Sequence, residues 1–126
     1  MTKITPSTDR IVESEVKEAY WDCWGGKNHR EPKNYGKRRN LNFKATYPVS
    51  RAKAIMVMKK YCPEYNNFTP NYLAYLPTDS DIYLAREGSV CVYVHTRENL
   101  ATDAYKKLLR ADEISYEGNY YRIWWD

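Results

Sequence analysis

The side chains best suited to acid–base chemistry in this chain are its two histidines, His29 and His95. Imidazole titrates near neutral pH, so a histidine that lies close to carboxylates can act as a general base. His95 ends a predicted strand, and we expect Asp79 and Asp81 to lie near it. A structural histidine with one satisfied hydrogen bond is the alternative. The sequence therefore offers His95 as the centre of a small nuclease or hydrolase, which is our third hypothesis.

No motif in the chain fixes a reaction or a cofactor. The sequence contains no GxxxxGK[ST] phosphate loop, no GxGxxG dinucleotide fingerprint and no CxxC pair. Its three cysteines, Cys23, Cys62 and Cys91, are far apart and odd in number, which favours reduced and largely buried thiols. We therefore predict a non-enzymatic protein that has no catalytic residues, metal or cofactor and is located in the cytoplasm.

Positive charge is concentrated in one segment, from Lys27 to Arg39. Six of the twenty Lys and Arg residues fall there and only Glu31 opposes them, so the segment carries +5 while the whole chain carries +4. The six cations are Lys27, Arg30, Lys33, Lys37, Arg38 and Arg39. Such side chains neutralise phosphates, and the neighbouring aromatics Trp21, Trp24 and Tyr35 could stack on unpaired bases. The first hypothesis is a small binding protein that engages nucleic acid, or another phosphate-rich anionic ligand, through residues 27–39.

The same charge would also suit an acidic groove on another protein. The second hypothesis is therefore a protein–protein inhibitor or adaptor, of the kind that viruses use to take over a host or to counter its defences. Its basic loop would occupy an acidic or nucleic-acid-binding groove of the partner. A solvated surface loop that only keeps the protein in solution would have a similar composition.

The chain ends in a second cluster of aromatic residues, YYRIWWD. Alternation along a terminal strand places Tyr120, Arg122 and Trp124 on one face, and these residue types are enriched in interface hot spots. In one interpretation the N-terminal helix covers this face, and Trp124 belongs to a second core. Otherwise the face is the contact surface for a homodimer or for another partner.

Hydrophobic periodicity and turn residues predict the elements that position these groups. An N-terminal helix spans 7–24 and a long basic loop spans 25–40. The elements that follow are a strand at 41–47, a helix at 49–62, a short strand at 72–76, a hairpin of 82–86 and 90–95 joined at Glu87-Gly88, a helix at 97–111 and a hairpin around Gly118-Asn119. We expect the 97–111 helix to begin at a Thr96 cap and to bury Leu100, Ala104, Leu108 and Ala111.

This order predicts an α+β fold with a mostly antiparallel sheet. Residues 41–126 form the core in a β-α-β-β-α-β-like order with an extra strand or hairpin, after the N-terminal helix and the basic loop. The length of 126 residues suits a single domain over 1–126, and no apolar run is long enough to cross a bilayer. RNA-recognition modules have a similar order, but Ser89 and Cys91 occupy the positions of their stacking aromatics. We therefore expect nucleic acid to use the loop rather than the sheet.

Overall fold

The computed structural model describes residues 6–19, 42–62, 68–87 and 89–125, without the side chains of 6–9. Within these ranges the helices are α1 (Pro6–Ala19), α2 (Arg51–Tyr61) and α3 (Thr102–Leu109), with a 3₁₀ helix at Pro70–Tyr75. The strands are β1 (Asn42–Lys44), β2 (Val49–Ser50), β3 (Asp81–Glu87), β4 (Ser89–His95), β5 (Glu113–Glu117) and β6 (Tyr120–Trp124). The predicted α+β class is confirmed.

The six strands form one antiparallel sheet with the order β1-β3-β4-β6-β5, and β2 pairs with β3 beside β1. In the first hairpin Tyr83 pairs with Tyr93. In the last hairpin Tyr116 pairs with Tyr121, as the Gly118-Asn119 turn predicted. Because paired residues share a face, these registers decide which side chains meet on each side of the sheet.

One face of the sheet packs against the helices and forms the core. Its strand residues include Ile82, Leu84, Val92, Val94 and Ile123, which are completely buried. Helix α1 adds Val12, Val16 and Ala19 to the same cluster, and α2 adds Ala54, Val57 and Met58. Trp125 lies in this core as well, where its indole donates to the Leu109 carbonyl at 2.8 Å. The described helices therefore all lie on one side of the sheet.

Two polar contacts fix the position of α1. The Glu13 carboxylate accepts hydrogen bonds from Lys60 Nζ at 2.9 Å and from the Tyr61 hydroxyl at 2.7 Å. On the other side of the helix, the buried Arg86 guanidinium donates to the Ala19 carbonyl at 2.8 Å. Residues 6–19 are thus held between α2 and β3 on the core face, and this part of the N-terminal helix does not cover the opposite face of the sheet.

The strand predicted at 72–76 is wrong, because Pro70–Tyr75 forms a 3₁₀ helix. Pro70 stands in the first turn, where its fixed φ favours helical backbone and its missing N–H costs nothing. The Arg51 guanidinium then binds the carbonyls of Ala74 and Leu76 at 3.1 and 2.7 Å. Burial of Leu73 and Leu76 in the core explains the apolar run that resembled a strand.

The helix predicted at 97–111 is shorter than expected and buries a different stripe. Asp79 accepts hydrogen bonds from the Thr96 hydroxyl at 2.6 Å and the Arg97 amide at 3.1 Å, so these residues belong to a loop. Helix α3 starts only at Thr102, and Arg110 ends it with a left-handed φ of 54°. Leu100, Leu109 and Ala111 are buried, whereas Ala104 and Leu108 are exposed, which corrects the predicted stripe.

The strand predicted at 41–47 is also shorter, since β1 covers only Asn42–Lys44. The alternation holds up to Ala45, which is buried and donates its amide to the Leu84 carbonyl at 2.8 Å. The chain bends at this point, and Tyr47 is exposed instead of inward-facing. Helix α2 begins at Arg51, two residues later than predicted, because Val49–Ser50 pairs with β3 as strand β2. The Ser50 hydroxyl caps the helix by accepting from the Lys53 amide at 3.2 Å.

Two of the three cysteines lie in the described residues. Cys62 and Cys91 are buried and not joined in a disulfide, as the spacing of the cysteines predicted, and Cys23 lies outside the described ranges. Among the helices described above, none has the length and apolar character required to span a bilayer.

Candidate binding face

The side of the sheet opposite the helices, which we call the outer face, is rich in aromatic and charged side chains. The strand pairing assigns to it Lys44 from β1, Asp81, Tyr83 and Glu87 from β3, Cys91, Tyr93 and His95 from β4, Tyr120, Arg122 and Trp124 from β6, and Glu113, Ser115 and Glu117 from β5. The three tyrosines, Arg122 and Trp124 are half-buried. None of the helices in the described part of the chain packs on this face.

Three tyrosine rings on the outer face surround one ammonium group. The Nζ atom of Lys44 lies 4.5 Å from the ring centroid of Tyr93, 5.3 Å from that of Tyr83 and 5.4 Å from that of Tyr120. The rings of Tyr83 and Tyr120 meet edge to face, with centroids 5.7 Å apart. A cation within about 6 Å of an aromatic face is attracted by the ring quadrupole. We call these three rings the tyrosine cage.

A hydrogen-bond network centred on Glu87 lies beside the tyrosine cage. Its carboxylate accepts from the Tyr93 hydroxyl and twice from the Arg122 guanidinium, at 2.8 Å from Nε and 2.6 Å from Nη2. Arg122 also donates to Glu113 at 3.0 Å. The Trp124 indole donates to the backbone carbonyl of Glu87 at 2.9 Å. These hydrogen bonds therefore hold five side chains of the outer face in one arrangement, namely those of Glu87, Tyr93, Arg122, Glu113 and Trp124.

The environment of these groups fixes their charge states near neutral pH. Partial burial opposes ionisation of Glu87, but the hydrogen bonds from Tyr93 and Arg122 prevail and lower the pKa of its carboxyl group. Burial and the hydrogen bond to Glu87 raise the pKa of Tyr93 to about 12. Although burial opposes its charge, Arg122 has a raised pKa because of its bonds to Glu87 and Glu113. The face therefore presents a carboxylate, a neutral phenol and a guanidinium.

Cys91 lies on the same face and is completely buried. Burial, followed by the nearby Glu87 carboxylate, raises the pKa of its thiol to about 12. Because the thiolate is the reactive form of cysteine, this thiol is inert at neutral pH. The outer face consequently offers contact surface and does not offer a cysteine nucleophile.

The structure brings together one of the two predicted groups of site residues. Tyr120, Arg122 and Trp124 do share the outer face, although Arg122 is already bound to two carboxylates. The predicted nucleic-acid-binding residues all fall outside the described ranges. They are Trp21, Trp24, Lys27, Arg30, Lys33, Tyr35, Lys37, Arg38 and Arg39.

His95 is not part of a catalytic arrangement in the described residues. It is exposed, and its ring lies 5.7 Å from that of Tyr120. Asp81 is its partner in the strand register, yet no hydrogen bond or ion pair joins the two side chains. Asp79 binds Thr96 and the Arg97 amide instead, and these hydrogen bonds lower the pKa of its carboxyl group. Within the described residues, neither Asp79 nor Asp81 orients the imidazole of His95 through a hydrogen bond, as the partner of a general base would.

Sequence reasoning missed Lys44, Tyr83, Glu87 and Tyr93 as members of the site. The predicted turn at Glu87-Gly88 would pair Tyr83 with Val92, whereas the observed register pairs Glu87 with Ser89 and Tyr83 with Tyr93. A shift of one residue exchanges the faces of a strand. The single tyrosine in each of the two strands was the available signal, but it could be used only with the correct register.

We also searched the described residues for metal ligands and compared the chain with known proteins. Across the described ranges, no three or more His, Cys, Asp or Glu side chains come together as a potential metal site. In comparisons with protein-family models, curated proteins and solved structures, the chain matches none of them.

Proposed function

We propose that this chain is a non-enzymatic binding protein and that its outer face is the contact surface for a protein partner. One observation carries the proposal. Tyr83, Tyr93, Tyr120, Arg122 and Trp124 are all half-buried on a single sheet face that the described helices leave open. Tyr, Trp and Arg dominate the binding energy of protein interfaces because each combines a large contact area with a polar group.

The hydrogen-bond network supports the proposal because it holds these side chains in place before any partner arrives. Ordering a rotamer-rich side chain at an interface costs about 0.5–1.5 kcal/mol. Arg122 has bound three of its donors to Glu87 and Glu113, and the Trp124 indole is bound to the Glu87 carbonyl. The free-energy cost of ordering these side chains is therefore incurred when the protein folds and is not added when a partner binds.

The charge of the outer face favours a protein partner over a phosphate backbone. Counted over the described residues, its charged side chains are the cations Lys44 and Arg122 and the carboxylates Asp81, Glu87, Glu113 and Glu117, which leaves a net charge of −2. Nucleic acids bind where cations are in excess, since binding releases counterions from phosphates. The negative charge of the outer face would repel a phosphate backbone, whereas it would not repel a neutral or cationic protein surface.

The second candidate function is the binding of nucleic acid, or of another phosphate-rich ligand, through residues 27–39. The supporting observation is the charge of +5 in thirteen residues, which comes from the sequence alone. The two candidates can also be combined. In an inhibitor or adaptor, the basic segment would enter an acidic or nucleic-acid-binding groove while the outer face anchors the partner.

The test is to replace one tyrosine on each side of the last hairpin. Tyr120→Ala changes the outer face, and Tyr116→Ala is the matched control, because Tyr116 is 59% exposed on the opposite side. We expect a partner captured from nuclease-treated lysate of the source cells to be retained by the wild type and the control and lost with Tyr120→Ala. Retention of every partner by Tyr120→Ala would remove the outer face from the proposal.

The nucleic-acid candidate has its own readout. Fluorescence anisotropy with a single-stranded oligonucleotide is measured at two salt concentrations, for the wild type and for a variant with Lys37, Arg38 and Arg39 changed to Gln. Each phosphate contact on a single strand contributes about −0.7 to the log–log salt slope, so the variant should lose roughly two units of slope. Wild-type protein that does not bind at low salt would end this candidate.

A further inference from the structure

The tyrosine cage holds a cation without help from a carboxylate. Lys44 Nζ is 4.5–5.4 Å from three ring centroids, and among the described residues no Asp or Glu forms an ion pair with it. The ammonium is therefore held by the negative faces of Tyr83, Tyr93 and Tyr120. Aromatic cages of this kind recognise ammonium ligands, because the quadrupoles of several rings converge on one point.

We propose that the tyrosine cage is a recognition site for a cationic side chain of the partner and that Lys44 occupies it in the free protein. The ligand class is an ammonium or guanidinium group, as in lysine, methylated lysine or arginine. This inference rests on the proposed function, because the outer face must be the contact surface. Lys44 acts as a stand-in for the partner's cation.

The position of Lys44 makes it a displaceable occupant. Lys44 is exposed, and it is the last residue of β1, a three-residue strand at the edge of the sheet. A lysine side chain has a flexible four-carbon stem, so its ammonium can return to water while the backbone stays in place. A cation presented by a partner could then take the same place between the rings.

The surroundings of the cage complement a positive ligand. Carboxylates lie near the rings on the outer face. Glu117 pairs with Tyr120 of the cage, Asp81 is two residues before Tyr83 on the same face of β3, and Glu87 accepts the hydroxyl of Tyr93. Burial, followed by the neighbouring Tyr120, raises the pKa of Tyr83. The phenols of Tyr83 and Tyr93 thus stay neutral near pH 7, and their ring faces remain available to a cation.

Removal of Lys44 distinguishes this site from a nucleic-acid platform by the sign of its effect. If the rings stack on bases, the Lys44 ammonium contacts phosphate, and Lys44→Ala weakens binding. If the cage receives a partner's cation, Lys44 competes with that cation, and Lys44→Ala strengthens binding. The two interpretations therefore predict opposite changes for one substitution.

The experiment titrates tetramethylammonium chloride into the protein and follows the tyrosine ring signals by NMR, with sodium chloride at matched ionic strength as the blank. We expect Lys44→Ala to bind the ion about fivefold more tightly than the wild type. Lys59→Ala removes an exposed lysine from α2 and should behave like the wild type. Two double variants test the rings. Lys44→Ala with Tyr93→Phe keeps an aromatic ring and should keep the gain in affinity for tetramethylammonium. Lys44→Ala with Tyr93→Leu lacks that ring and should lose most of the gain.

Circular dichroism and thermal melting establish that each variant is folded. A folded Lys44→Ala that binds tetramethylammonium no better than Lys59→Ala would overturn the inference. So would a Lys44→Ala variant that loses affinity for a single-stranded oligonucleotide bound at the outer face. Because this probe needs no partner, its failure can be told from failure of the capture experiment. A third outcome is that Tyr120→Ala loses the captured partner while Lys44→Ala gains no affinity for tetramethylammonium. That combination would support the outer face as the binding surface and would contradict the role of the tyrosine cage.

Discussion

Arg122 and Glu87 make a two-point contact across a strand that lies between them. Arg122 belongs to β6 and Glu87 to β3, and β4 separates the two strands. Nε and Nη2 of the guanidinium both reach Oε1 of the carboxylate, at 2.8 and 2.6 Å. The other carboxylate oxygen accepts from Tyr93 of β4. One carboxylate therefore connects the side chains of three strands on the face that carries the proposed site.

This contact predicts a measurable loss of stability when Glu87 loses its charge. Glu87→Gln keeps the size of the side chain but replaces charge-assisted hydrogen bonds with weaker neutral ones. We expect the free energy of unfolding to fall by about 1–2 kcal/mol, as measured by urea denaturation. The control is Glu98→Gln, since Glu98 is exposed and its side chain forms none of the contacts described above. Equal stability of the two variants would show that the network adds nothing to folding.

The same carboxylate predicts how the difference between wild type and variant depends on pH. The folded-state pKa of Glu87 is lower than its ordinary value of 4.5, because hydrogen bonds from Tyr93 and Arg122 outweigh the effect of burial. A depressed pKa stabilises the fold above pH 4.5, and this contribution is lost as the pH falls through the folded-state value. Glu13 also has a lowered pKa, through Lys60 and Tyr61, but it is present in both proteins. We therefore expect the stability advantage over Glu87→Gln to be constant near neutral pH and to shrink below pH 4.5. An advantage that grows on acidification would contradict this assignment.

Local patterns in the sequence were sufficient for the fold class, for the presence of both hairpins and for the register of the last one. Ile114 and Tyr116 alternate around a Gly-Asn turn, and this local information determined the observed pairing with Ile123 and Tyr121. The 3₁₀ helix at Pro70–Tyr75 was missed because its hydrogen bonds to Arg51 come from a distant part of the chain. Short apolar runs do not distinguish a strand from a helix without such contacts.

The candidate site was predictable only in part, for a related reason. Alternation alone places Tyr120, Arg122 and Trp124 on one face. The tyrosine cage also requires the β3–β4 register and the arrival of Lys44 from β1, whose position is set by pairing with β3. These are contacts between distant segments, and no local pattern of residues encodes them.

Arg86 offers a prediction about the attachment of α1. The side chain is completely buried, and its Nη1 donates to the carbonyl of Ala19, the last residue of that helix. Arg86→Ala would remove this donor and leave a cavity in place of a long side chain. We expect the free energy of unfolding to fall by about 3–5 kcal/mol, against little change for the exposed Arg97→Ala. Thermal denaturation followed by circular dichroism measures both. If Arg86→Ala were as stable as Arg97→Ala, the contact with Ala19 would not hold α1.

The outer face also predicts the oligomeric state of the isolated protein. A symmetric dimer through this face would place each copy of the surface against itself. Both surfaces would then carry the same net charge of −2, counted over the described residues, and their repulsion would oppose association. We therefore expect a sedimentation coefficient that does not change with protein concentration in the micromolar range. A dimer that Tyr120→Ala dissociates, while Tyr116→Ala leaves it intact, would show instead that the partner of this face is a second copy of the chain.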